Sequence, residues 1–504
     1  MALCLDTCFK IKENRYVHLS EKFHMQVLHI SFECYPVAKA GGLADVVGAL
    51  PKYLQQFDVD SWVVMPRFDN EWVRNHQQNV VHSGVAKMGD EKFDYRIVME
   101  AGGVLGFPLY LVDIPGRLDR SGIYIDSYSD YAYWDEFERF ASFQIAVLDW
   151  LKSFSKKPDI IHCHDHHTAF IPFLMTSSPV YHEFKSIPSI ITIHNGHYQG
   201  WYDPGKKYLL PKIDPEREGF LYWNGRMNAL SAGIRTAWSI TTVSDSYLDE
   251  LQHSCKGLEP LLSYEKQKSL GIINGIDTDV WDPSTDPLVV ENFGQDNFAT
   301  GKEKNKKWIC EEFGFNPELP LFSFIGRLVD EKGADLLPDL IIRYLETGLK
   351  GSFLMLGTGE PWLHNRFMEM KGHYVNFFDA SLSYNEELAH RMYAGSDFLI
   401  MPSRVEPCGL NQMYAMRYAT LPIVRNIGGL KDTVKDFSVP DGNGIVFDHF
   451  NLDDAYNALS RATTIFHDKH LMENLQKRAI TEDFSWHSSA KKYHNLYTSL
   501  IKEK

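Results

Sequence analysis

The chain has 504 residues, 44% hydrophobic and 23% charged, with a formal net charge of −15. That is ordinary globular usage with apolar material for two cores rather than one. The acidic balance excludes a general nucleic-acid or anionic-membrane binder, because such proteins neutralise phosphates with a cationic footprint.

No apolar run is long enough to span a bilayer. The seven cysteines (Cys4, Cys8, Cys34, Cys163, Cys255, Cys310 and Cys408) are scattered and without a CxxC pair, so reduced thiols and a cytoplasmic location are expected. Residues 1–24 mix acids and bases and lack the apolar core of a signal peptide. They are expected to form a dispensable extension before a first strand that opens at Met25.

The run "VLHISF" (27–32) is followed by "KAGGLADVVGALP" (39–51). From Leu43, apolar residues at Val46, Val47, Leu50, Leu54 and Phe57 make a helical stripe, so Gly41 and Gly42 end a loop and open a helix. Two residues without side chains at a helix N-terminus, beside Lys39, suit an anion such as a phosphate. Turn geometry is the commoner reason for such a pair taken alone.

Short β-branched runs then recur between amphipathic stretches: "SWVVM" (61–65), "FPLYLV" (107–112), "DIIHC" (159–163), "SIITIH" (189–194) and "SITTV" (239–243). Continuous apolar strands of this kind predict a parallel sheet covered on both faces. "HCHDHH" (162–167) has the look of a metal site, but its acid, Asp165, falls one position early for HxHxDH, and no metal is expected there. "HNGHYQG" (194–200) follows a strand, so His194 and Asn195 face the C-terminal end of the sheet. The DxD strings at 58–60 and 277–279 read as turns rather than metal ligands.

After the turn-rich "GIINGIDTDVWDP" (271–283) the pattern restarts with "LFSFI" (321–325), "SFLML" (352–356), "YVNFF" (374–378), "FLIM" (398–401) and "PIVR" (422–425). Two α/β units joined by a hinge leave a cleft, and ligands in open α/β sheets bind beyond the carboxyl ends of the strands. "IGRLVDEKG" (325–333) places Arg327 and Lys332 there, where they suit a diphosphate through charge-assisted hydrogen bonds; a surface cation pair is the plainer reading. In "SRVEPCGLNQMYAMRYATLPIVRNIGGL" (403–430), Glu406 stands between a strand end and a helix over 410–418. It is placed either to meet sugar hydroxyls or to cap the helix.

Together these residues resemble the bacterial glycogen synthase and plant starch synthase family, retaining glycosyltransferases of the GT-B fold, from about Met25 to the C-terminus. The matches are "KxGGLADVVGALP" (39–51), "HxHDxH" (162–167), "HNxxYQG" (194–200), "NG" (224–225), "NGID" (274–277), "RLxxxKG" (327–333), the run at 402–420 and "GGLxDTV" (428–434). The resemblance implies two doubly wound Rossmann-like domains facing a central cleft. Residues 25–273 would form the acceptor and catalytic side and 274–483 the nucleotide-sugar side, while 484–504 would be a helix crossing back to the first domain.

It also implies a reaction: glucose passes from ADP-glucose, or alternatively UDP-glucose, to the non-reducing end of glycogen or another α-1,4-glucan, with no cofactor. The catalytic group carried over is Glu406, Asp165, His194, Arg327 and Lys332. The substrate-binding group is Lys39, Gly41, Gly42, Asp45, Asn195, Gly357, Tyr384, Cys408, Gly428, Gly429 and Leu430. Cys408 near the donor would make the enzyme sensitive to thiol reagents.

Ile427, Asn411, Ser231 and His166 depart from the family's usual residues, and the first two border the donor pocket. A phosphorylase would need a pyridoxal phosphate lysine site that no segment resembles. Another GT-B transferase would not be expected to carry "KxGGLADVVGALP". A silent glucan-binding scaffold is the alternative from another class, and survival of the six charged and histidine positions argues against it.

Overall fold

The structure, a computed structural model, describes residues 24–503 apart from positions 128 and 130. The expected N-terminal extension therefore lies, but for His24, outside the described residues. Among the described residues no helix is long and apolar enough to cross a membrane.

Among the described residues, eighteen strands form three sheets. They are β1 (Met25–Ile30), β2 (Val59–Pro66), β3 (Gln78–Met88), β4 (Glu91–Glu100), β5 (Leu109–Asp113), β6 (Ile160–His164), β7 (Ser189–Ile193), β8 (Trp201–Tyr202), β9 (Tyr222–Trp223), β10 (Arg226–Asn228), β11 (Ser239–Thr242), β12 (Ser269–Gly271), β13 (Leu321–Ile325), β14 (Ser352–Leu356), β15 (Phe378–Ser381), β16 (Phe398–Met401), β17 (Leu421–Arg425) and β18 (Ile445–Phe447). The first sheet runs β12-β11-β7-β6-β1-β2-β5-β4-β3 and the second β15-β14-β13-β16-β17-β18, with β8, β10 and β9 in a small third.

All pairs of the six-stranded sheet are parallel. The nine-stranded sheet is parallel except where the hairpin β3–β4 joins β5 antiparallel. Its alternating burial pattern is the period-two signature of an edge with one solvated face. Sequence reading missed this hairpin because its apolar residues are interleaved with charges.

One expected strand is displaced. "YVNFF" (374–378) is mostly a turn, and β15 starts at Phe378. Asn376 takes a left-handed φ of 70° and Val375 and Phe377 point to solvent, so apolar content misled there while backbone chirality decided.

Both large sheets reverse their winding direction once. In the first, the chain runs outward from β1 through β2 to β5 and then from β6 the other way. In the second it runs from β13 through β14 to β15 and then back from β16. Such switch points open a crevice at the strand C-termini, because neighbouring loops there turn in opposite directions. The loops after β1 and β6 flank one crevice, and those after β13 and β16 flank the other. Lys39, Asp165, Arg327, Lys332 and Glu406 all lie in these four loops, whereas the DxD strings at 58–60 and 277–279 lie outside them.

The C-terminal helix Trp486–Glu503 packs on the helix Gly42–Leu54. Trp486, Ala490, Tyr493 and Tyr497 share a core with Val46, Leu50, Tyr53 and Leu54. The helices and loops beside the two sheets also touch directly: Ser246 is hydrogen-bonded through both N–H and Oγ to Asp432, and Ser244 Oγ donates to the Pro407 carbonyl at 2.6 Å.

Candidate active site

The loop after β1 carries the glycine pair. The helix begins at Gly42 with Gly41 as N-cap and no side-chain cap, as the apolar stripe required. The backbone N–H groups just before it are not free, however. Ala40 and Gly41 donate to Glu33 Oε2 at 2.5 and 2.8 Å, and Glu33 Oε1 accepts from Tyr124 Oη at 2.8 Å.

The protein thus supplies its own anion beneath the loop, which corrects the reading of all these N–H groups as a phosphate cradle. The first-turn groups of Gly42 and Leu43, which precede any intrahelical acceptor, remain for a ligand. Lys39 is held by Asp45 at 2.7 Å. Glu33 was overlooked because a lone acid in "SFECYP" carries no periodic signal.

At the end of β6, Asp165 is buried and takes a left-handed φ of 58°, a strain that the surrounding hydrogen bonds must hold. Its Oδ1 accepts the His194 N–H at 2.8 Å. Burial raises its carboxyl to about 7 even though backbone N–H groups of His194 and Asn195 pull the other way. His194 Nε2 meets His164 Nδ1 at 3.0 Å, and Asn195 Oδ1 accepts from the His197 N–H.

His29, His162 and His164 offer nitrogens within 4.8 Å of one another. Both nitrogens of His162 are bonded, to Tyr497 and Thr192, and both of His164, to His29 and His194. A cation would have to displace these partners. His166, where the family resemblance expects a tryptophan, packs edge-on against Phe140 with Nδ1 unpartnered.

In the second sheet, Lys332 ends a short 3-10 turn after β13, and Gly333 follows with φ 67°. A Cβ at Gly333 would stand 2.1 Å from the Pro402 carbonyl oxygen, so glycine lets the loop fold against the end of β16. The consequence is contact: Lys332 Nζ lies 2.7 Å from both oxygens of Glu406, and Ser403 Oγ donates to the same carboxylate at 2.9 Å. Glu406 therefore does not cap the helix Asn411–Arg417, whose N-cap is Leu410 with no side-chain cap.

Arg327 is 64% exposed and, among the described residues, has only Glu331 at 3.5 Å, which leaves most of its guanidinium fork available. Gly357 sits where a Cβ would be 1.8 Å from the Gly326 carbonyl, binding the loop after β14 to the one carrying Arg327. Asn411, one of the departures, donates to the Ile325 carbonyl at 2.6 Å and ties its helix to the same loop. Tyr384 is 84% exposed and lies close enough to interact electrostatically with Tyr35, in the loop after β1, and Asp45, in the first turn of the helix that follows.

Gly428 and Gly429 pack backbone on backbone against residues 406–408: Gly429 N–H donates to the Glu406 carbonyl at 3.0 Å. Gly428 N–H donates to Glu250 Oε1 at 2.7 Å and Leu430 N–H to the Ile427 carbonyl. In this conformation these three residues buttress Glu406 with their N–H groups occupied.

Cys408 is buried, and burial pushes its thiol up to about 12. At pH 8 its thiolate is then about 10³-fold scarcer than that of an ordinary cysteine. Alkylation of native protein at Cys408, followed by mass spectrometry at pH 8, is expected to be at least 100-fold slower than after unfolding. A rate within a few-fold of the unfolded chain would contradict this burial.

A model of the starch synthase catalytic domain matches residues 26–264, and one of glycosyl transferases group 1 matches residues 306–482. A glycogen synthase from Flavobacterium johnsoniae is 45% identical over 481 residues, covering 95% of this chain and 100% of its own. One from Streptococcus uberis is 38% identical, covering 94% and 99%. The solved catalytic domain of starch synthase IV from Arabidopsis thaliana, bound to ADP and acarbose, superposes with a TM-score of 0.83 at 32% identity, over 95% of this chain and 99% of its own. A sucrose-phosphate synthase from Thermosynechococcus elongatus, at 15% identity and a TM-score of 0.60 over 95% of this chain and 100% of its own, shares the fold.

Proposed function

The chain belongs to the glycogen and starch synthase family of GT-B glucosyltransferases, and on that premise we propose that its donor is ADP-glucose and its acceptor the 4-hydroxyl at the non-reducing end of an α-1,4-glucan. The observation that carries this reading is the Lys332–Glu406 contact beside an uncommitted Arg327 at the switch point of the second sheet. The nucleotide reading is supported by the starch synthase IV neighbour, which holds ADP, the product that such a donor leaves behind.

In this reading Arg327 and Lys332 neutralise the departing diphosphate, and Lys39 with the first turn after Gly41–Gly42 meets its distal end once Asp45 releases the lysine. Tyr384 stacks on the base, Gly357 adjoins the nucleotide, and Gly428, Gly429, Leu430 and Cys408 form the wall behind Glu406. Glu406 lies beside the transferred glucose, with Asp165, His194 and Asn195 on the opposite wall.

The anomeric carbon's bond to the diphosphate oxygen breaks as its bond to the acceptor oxygen forms on the same face. The acceptor's proton passes to the leaving phosphate oxygen. Closure of the two sheets' loops excludes water, which would otherwise intercept the sugar. The five described cysteines are all free, which fits a reducing cytoplasm.

The test is nucleoside diphosphate release from ADP-glucose and from UDP-glucose, with and without glycogen, for wild type and Arg327→Ala. Glycogen-dependent ADP release, reduced about 100-fold in the variant, is expected. A preference for UDP-glucose would sink the donor assignment. Release from neither donor by folded protein that binds glycogen would favour the scaffold.

A further inference from the structure

Three histidines stand in a row across three adjacent strands and reach the catalytic wall. His29 on β1 pairs in register with His162 on β6, and His164, two residues on, shares that face. His29 Nδ1 is 3.3 Å from His164 Nε2, and His164 Nδ1 is 3.0 Å from His194 Nε2 just beyond β7. The row has two distinct ends. His29 Nε2 is sealed in the interior without a partner, whereas His194 keeps 8% of its surface and its Nδ1 takes no partner among the described residues.

We propose that His29 and His164 act as a tautomer relay that makes His194 a hydrogen-bond donor through Nδ1–H toward the bound sugar. The proposal rests on the placement of His194 in the catalytic cleft. Burial lowers all three imidazoles far below their usual range, so each is neutral, with one N–H and one lone pair. Linked nitrogen to nitrogen, three such rings have only two consistent settings.

In one setting, His29 Nδ1–H donates to His164, His164 Nδ1–H donates to His194, and His194 is left with Nδ1–H. The reverse setting puts a proton on His29 Nε2, a donor sealed away from every acceptor. Orphaned buried N–H groups are the rarer and costlier defect, so the first setting wins. His162 does not compete, because its nitrogens are taken by Tyr497 Oη at 2.7 Å and Thr192 Oγ1 at 2.6 Å. His29 and His164 are thus positioning residues, and their effect on His194 is one of proton placement.

The test uses full-length protein labelled with ¹⁵N-histidine at pH 7.5, with the His194 signal identified by its loss in His194→Ala. Its spectrum is expected to have a protonated Nδ1 and a bare Nε2; the opposite tautomer overturns the relay. In kinetics, His29→Leu is expected to lower kcat about tenfold with the donor KM within twofold. His29→Asn, whose amide N–H takes the place of imidazole Nδ1–H, is expected to recover most of that loss.

An unchanged kcat in folded His29→Leu, or equal losses in the Leu and Asn variants, overturns the relay. So does one zinc ion per chain in the purified protein, which would make the cluster a metal centre. Full activity of His194→Ala would instead sink the placement of His194, while the spectrum would still read the relay by itself.

Discussion

Lys332→Ala is expected to lower glucosyl transfer, read as kcat/KM, by about 10³-fold, equivalent to about 4 kcal/mol of transition-state stabilisation. The lysine has two duties that fail together. It neutralises the leaving diphosphate, and in the unliganded protein it is the cation for Glu406, whose side chain is 5% exposed against 29% for the lysine. Removing it strands a nearly buried carboxylate with only Ser403 Oγ as a side-chain partner among the described residues, a loss of roughly 1–3 kcal/mol after allowance for the lysine's exposure.

The double variant Lys332→Ala/Glu406→Gln separates the two duties. With no charge left to strand, its stability should return to near wild type while activity stays lost. A double variant as unstable as Lys332→Ala alone would place the cost outside this pair. Because Lys39 and Lys332 are each already matched to an acid, the donor must draw both cations away from their partners as it binds. Affinity should therefore fall less steeply with salt than for two unpaired cations, because salt weakens the pairs that open as well as those that form.

Acidification from pH 7.5 to 5.5 is expected to remove about 5 kcal/mol of stability from the nine-stranded sheet. Burial lowers six histidines clustered there, His29, His162, His164, His166, His167 and His194. Their unfolded forms take protons below pH 6.5 and their folded forms do not, so stability is intact above that value and lost as pH falls through it.

At pH 5.5 each contributes about 1.4 kcal/mol of destabilisation, about 8 kcal/mol together, against a typical total of about 5–15 kcal/mol. Asp165 works in the opposite sense. Its folded carboxyl, raised to about 7, gains a proton that the unfolded one lacks, returning about 2 kcal/mol over the same interval; Glu33, also raised by burial, adds in that direction. Hydrogen exchange of β6 and β7 at the two pH values would measure the change. His166→Phe should reduce it by about one histidine's share, and equal protection at both values would refute the account.

The fold was legible because its signals are local. Short apolar β-branched runs such as "SIITI" and "LFSFI", bounded by turn residues, read as strands buried on both faces, and the stripe from Leu43 to Leu54 reads as a helix with one buried face. The motif loops were legible for the same reason: strand, then glycine or charge, then helix. Where a strand's apolar content was diluted, as in β3 and β4, or mimicked by an exposed turn, as at 374–377, the local signal failed.

The sequence by itself determined two doubly wound units, the loops that carry their chemistry, and a resemblance strong enough to indicate a reaction. Only the tertiary structure decided which of those residues meet. Lys332 and Glu406 are 74 residues apart, His29 and His164 are 135 apart, and Tyr124 and Glu33 are 91 apart. Each pair is brought together by strand order and crossover connections rather than by any periodicity along the chain. That is why Glu33 under the glycine loop and His29 behind His194 went unread: a single polar residue in an apolar strand has no local partner, and its function lies in neighbours that the sheet alone supplies.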